Sequence, residues 1–226
     1  MPAIKSPKVV QQDEQELIQR INKLILLAVK TDFDGQPSNH PLIFVNAVKN
    51  IIGDNRKNPP QKLLDLSENY INQFSQREGD EQLFNNVIKE GFGLTVFVDD
   101  IEEAIMNGSK DDAELESAKQ LLASDKSPAI LEHLAELTLY DIDSLGLFTY
   151  HWLRSYQFHQ DKEMLWPYAR AIINEIFKGH LQQQSKTKLQ NPQDHLIDIL
   201  TLKNNGLWPT FSAMHRLWDE DYVRST

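Results

Sequence analysis

The stretch from Ala129 to Phe158, AILEHLAELTLYDIDSLGLFTYHWLRSYQF, constrains the fold of this chain more than any other. Leu145, Phe148, Trp152 and Tyr156 recur at helical spacing, while Leu147, Tyr150 and Phe158 place bulk on the remaining faces. A helix that is apolar nearly all round has to be wrapped by neighbours. The turn at Asp141 to Ser144 divides the stretch in two. The pattern therefore predicts a central helical hairpin, opened by Ser127 as N-cap and Pro128 at the first helical position.

The flanking sequence reads as covers for that hairpin. Leu17, Ile21, Leu24, Ile25 and Ala28 make an apolar stripe, predicting a helix from about Asp13 to Lys30 behind a loosely docked N-terminal arm. Val45, Val48 and Ile52 predict a second helix that begins at Pro41 and is closed by Gly53. The segment DNRKNPP, Asp54 to Pro60, is the strongest linker pattern. It allows an N-terminal subdomain over residues 1–58 within a single all-α domain spanning 1–226. Leu63, Leu66, Tyr70 and Phe74 define a third helix running toward REGD at 77–80.

Residues Glu81 to Met106 admit two readings. One is a helix kinked near Gly91 or Gly93; the other places a strand over LTVFVDD, with an acidic end that resembles the strand end of receiver domains. No second strand is apparent to take its backbone hydrogen bonds, so the kinked helix is preferred. Helix starts follow at Ser109 with Asp112, at Asp161, at Asn191-Pro192 and at Trp208-Pro209. Together these predict an all-α bundle or orthogonal array of about eight to ten helices around the aromatic hairpin.

Charge and composition narrow the function. The chain has 33 acidic against 23 basic residues, a net charge of −10, which disfavours nucleic acid and favours a basic partner. The absence of cysteine excludes disulfides, thiolate metal sites and a cysteine nucleophile. It fits a reducing, cytoplasmic setting. No apolar run is long enough to span a bilayer, and the N-terminus lacks the apolar core of a secretory signal.

Chemistry-bearing residues gather on the hairpin. Glu132 and Glu136, at i and i+4, share a helix face; Asp143 lies in the turn and His151 beyond it. As metal ligands these four miss the Glu-x-x-His spacing of di-iron bundles, and no zinc-protease motif is present. His151, with Arg154 one turn on and Glu136 nearby, is the candidate for catalysis or ligand binding in an aromatic pocket. The pair His195 and Asp198 lacks a nucleophile motif, and no glycine loop suited to phosphate is present, so no cofactor is expected.

The run Asp99, Asp100, Glu102 and Glu103, extended by Asp111, Asp112, Glu114 and Glu116, is the candidate partner surface. Trp208, Phe211, Trp218 and Tyr222 form either a docking stripe or a core cover. The leading expectation is a non-catalytic helical interaction module, an acidic inhibitor, immunity-type protein or adaptor. The rival is an enzyme or a small-ligand or metal binder using His151 with Glu132, Glu136 or Asp143. A homodimer through the aromatic helices is a third expectation.

Overall fold

The computed structural model describes residues 7–56, 58–91, 96–158, 160–179 and 208–219. The chain is an all-α, multi-helix protein, with no strand among the described residues. The helices are α1 (Pro7–Val29), α2 (Pro41–Asp54), α3 (Gln61–Ile71), α4 (Asp80–Glu90), α5 (Asp99–Met106), α6 (Lys110–Ala123), α7 (Ala129–Leu137), α8 (Ile142–Phe158), α9 (Leu165–Ile176) and α10 (Trp208–Asp219).

The apolar spacing of α8 does what its sequence requires. Leu145, Phe148, Trp152 and Tyr156 are all buried. Its polar groups are satisfied internally: Trp152 Nε1 donates to the Tyr168 carbonyl at 3.0 Å, Tyr168 donates to Ser155 Oγ at 2.9 Å, and Ser155 donates to the Trp152 carbonyl at 2.8 Å. Such a closed set lets α8 and α9 approach without an orphaned donor. Helices on both sides of DNRKNPP bury into one apolar cluster, which runs from Ile21 on α1 through Ile172 on α9 to Ala213 on α10. The aromatic rings of α8 expected at a homodimer interface point into this cluster, and Phe158 alone among them is exposed.

Polar clamps hold the periphery. Thr31 and Gln76 form a single antiparallel bridge, flanked by Asp32 N to Ser75 O at 2.8 Å and Arg77 N to Lys30 O at 2.6 Å. Arg77 then pairs with Asp80 at 2.8 Å, and Arg170 on α9 joins Asp80 at 2.6 Å to Glu114 on α6 at 2.8 Å. Both carboxylates are buried, so removing either partner of a pair would leave a buried charge uncompensated. Glu114 is therefore part of a structural lock, not of an acidic surface.

Three sequence expectations need correction. The first helix begins at Pro7, well before Asp13, so the N-terminal arm is partly helical. The third helix stops at Ile71, and Leu66, expected in its apolar stripe, is 52% exposed. Residues 81–106 are two helices rather than one kinked helix: α4 ends at Gly91, whose φ of 78° and ψ of 166° suit glycine alone, and α5 restarts at Asp99. The expected central pair is α7 and α8, which run into each other through a short 3-10 turn at Thr138–Asp141; α7 packs chiefly on α9 and α8 on α2 and α10. The two halves of the expected hairpin thus serve different neighbours.

Candidate functional site

His151 lies on α8 where α2 and α10 cross it. Its Nδ1 is 2.8 Å from Asn46 Nδ2, so the amide donates and the imidazole keeps its proton on Nε2. Burial, with Lys49 and Arg216 adding positive charge, lowers the His151 pKa to about 4. A base so weak is a poor proton acceptor near neutral pH, where catalysis favours a pKa close to the working pH. As a neutral N–H donor it is well placed.

The surroundings of His151 are cationic. Lys49 on α2 is only 8% exposed, and its ammonium sits 5.2 Å from the centroid of the Phe158 ring. No carboxylate lies within ion-pairing distance of it among the described residues. Burial, and then the neighbouring Arg154, pull its pKa down to about 8. Arg216 on α10 donates to the Tyr150 hydroxyl at 3.0 Å, and Arg154 donates to Gln157 at 3.2 Å. Asn46 is fully buried, and its Oδ1 has no hydrogen-bond partner among the described residues.

The carboxylates grouped with His151 by sequence lie elsewhere. Asp143 is exposed and eight residues earlier on the same helix, about 12 Å along the axis. Glu132 is exposed on α7. Glu136 instead joins Asp99 and Glu102 of α5 around His133, whose pKa burial lowers while these three acids raise it. No group of three or more metal-ligating side chains converges among the described residues. Of the original set, Arg154 is the one that stands beside His151.

Asn46 and Lys49 were not singled out by sequence reasoning, although a signal existed. Each lies four residues after a buried apolar residue, Leu42 and Val45, so each is a polar residue on an apolar helix face.

The acidic run opens α5, with Asp99, Asp100 and Glu102 in its first turn and Glu103 just after. Asp99 and Glu103 are exposed and Asp100 half-buried, and none of the three is ion-paired among the described residues. Glu102 accepts a hydrogen bond from Tyr140 at 3.3 Å, tying α5 to the turn after α7. Two residues before the run, Phe97 is 59% exposed. At the start of α6 the N-cap Ser109 donates to Asp112 at 2.5 Å, and along the helix Lys119 pairs with Glu116 at 2.7 Å, while Asp111 stays exposed.

A third feature is a cavity of about 370 Å³ between α4, the α6–α7 turn and the start of α9. Phe84 and Trp166 stack along it with centroids 5.6 Å apart, and Lys126 pairs with Glu163 at 2.5 Å beside it. On α10, Trp208 is partly exposed and Ala213 buried, so this helix both covers α8 and shows an aromatic edge. The side chain of Trp218, with Tyr222, His159, His195 and Asp198, lies outside the described residues. No described helix is long and apolar enough to cross a membrane. No known family matches the chain, and neither a curated protein nor a solved structure does.

Proposed function

We propose that the protein is a non-catalytic helical interaction module that docks a basic partner protein on the N-terminal turn of α5. The observation that carries this reading is Phe97, more than half exposed, next to unpaired Asp99, Asp100 and Glu103. Interfaces are held by a few buried aromatic anchors, while charges around them steer approach and exclude wrong partners. A surface phenylalanine rimmed by carboxylates has both parts. The chain's net charge of −10 extends the steering field beyond the patch. The run's fourth acid, Glu102, contributes less, since Tyr140 already engages it.

In this reading the protein acts as an inhibitor, an immunity-type protein or an adaptor for a basic protein, in the cytoplasm. A cysteine-free chain is in keeping with that compartment. The test compares immobilised wild type with Phe97→Ala and with Asp99→Lys/Glu103→Lys, using lysate of the source cells at low and high salt. The expected result is a basic protein held by wild type, lost from Phe97→Ala and repelled by the charge-reversed variant. Binding of the purified partner should then fall by about 2 kcal/mol or more for Phe97→Ala. Identical capture by all three proteins would rule the α5 surface out.

A further inference from the structure

We propose that the junction of α2, α8 and α10 is a binding site for the phosphate or carboxylate group of a small molecule, built on Lys49, Asn46 and His151. This site is separate from the α5 surface and does not depend on it.

Three observations converge there. Lys49 is buried with an aromatic ring against it and no carboxylate counter-ion among the described residues, in a chain that has 33 acidic residues to offer. Taking an ammonium out of water without a counter-ion is unfavourable, so the position calls for an anion from outside the fold. Asn46, completely buried, leaves one end of its carboxamide unfilled. Its other end fixes the His151 ring and directs the Nε2 proton away from that bond.

The flanking groups set the sign of the ligand. Arg154 lies three residues after His151 on α8, close enough to Lys49 to depress its pKa. Arg216 acts on His151 from α10. Both guanidiniums have other contacts, and both add positive potential. Helix packing therefore holds like charges together, an arrangement that an oxyanion relieves. The Lys49 ammonium and the His151 imidazole N–H are donors of the kind that bind phosphate and carboxylate oxygens. A polymeric anion is disfavoured, because the rest of this acidic chain would repel it. The unfilled Asn46 oxygen asks in addition for a donor on the ligand, such as the hydroxyl of a phosphate monoanion or of a hydroxy acid.

The experiment is titration of the full chain with inorganic phosphate and, separately, with lactate, against chloride at matched ionic strength near neutral pH. Heat and thermal midpoint are both followed. Saturable binding of one of the two anions is expected, with a rise in midpoint that chloride does not give. Phosphate alone or lactate alone identifies the group recognised. Lys49→Met should weaken binding at least about tenfold and Lys49→Arg much less. His151→Gln, which keeps a donor amide, should fall between them. Lys49→Met removes a buried charge, so loss of its binding with circular dichroism unchanged is not a folding defect. Equal binding by wild type and Lys49→Met would indicate an adventitious ion only and overturn the proposal. So would failure of both anions to bind beyond chloride.

Discussion

At the scale of single residues, Lys49 is the sharpest departure from what folding alone would select. Its pKa is lowered from 10.5 to about 8 by burial first and Arg154 second. Below pH 8 the ammonium is charged in both states, so the folded state bears the desolvation penalty in full. The penalty disappears as pH rises from 8 to 10.5, where the folded protein has lost a proton that the unfolded chain still holds. Lys49→Met should therefore stabilise the protein near neutral pH, by about 1–2 kcal/mol after allowance for solvent reaching the ammonium. Urea unfolding checks this; a destabilised Lys49→Met protein would mean that the ammonium's environment is favourable after all. The site's identity was hard to read from sequence for a related reason. Glu132, Glu136 and Asp143 are near His151 in the chain, whereas Asn46 meets it across 105 positions. Local spacing can place residues on one helix face, but it says nothing about which distant helix covers that face.

At the scale of elements, sequence was most informative where one helix decides its own ends. Asp161 accepts from Glu163 N at 3.0 Å, as its position before an apolar run suggests. The start of α7 is one residue later than expected: Pro128, not Ser127, is its N-cap, while Ser127 accepts from Ala129 N at 3.3 Å. Sequence was least informative where two conformations compete over few residues. At Gly91 the choice between kink and break turned on a backbone angle, not on hydrophobic period. Gly91→Ala should cost about 1–3 kcal/mol, because that backbone region is closed to side chains. The end of α6 is the reverse case. Lys126 N bonds Leu121 O at 2.7 Å and Asp125 N bonds Leu122 O at 3.3 Å, a Schellman closure that normally uses glycine. Here Asp125 and Lys126 take φ of 53° and 55° instead. Asp125→Gly should relieve about 0.5–1 kcal/mol of that strain, and its exposed pairing with Lys162 is worth little. For a chain of this size the two variants should move the thermal midpoint in opposite directions, by roughly 2–4 °C per kcal/mol. Two shifts of the same sign would show that these backbone angles are not what governs the turns.

At the scale of the whole molecule, buried titratable groups give a pH response that neither composition nor net charge predicts. His40 caps α2, accepting from Leu42 N at 3.1 Å, and burial lowers its pKa to about 3; that of His151 falls to about 4. Between these values and 6.5 the unfolded chain binds the extra protons, so both histidines make stability fall as pH falls. Glu175 has the opposite sign. It is buried on α9, bonded to Lys178 at 2.6 Å with its second oxygen unfilled, and burial raises its pKa from 4.5 to about 7. The folded state therefore holds a proton that the unfolded chain releases between pH 4.5 and 7, and stability from this group is lost as pH rises through that window. From pH 4.5 to 6.5 Glu175 opposes the buried histidines, His133 included, so the wild type climbs by about one proton, 1.4 kcal/mol per pH unit, less steeply than the histidines alone would make it. Glu175→Gln removes the opposing group. The variant should match wild type below pH 4.5, climb more steeply up to 6.5, and end about 2–3 kcal/mol more stable above pH 7. Urea melts at half-unit intervals from pH 4 to 8 would resolve the two curves. A constant offset between them would show that Glu175 is ionised in the folded core throughout, held so by Lys178.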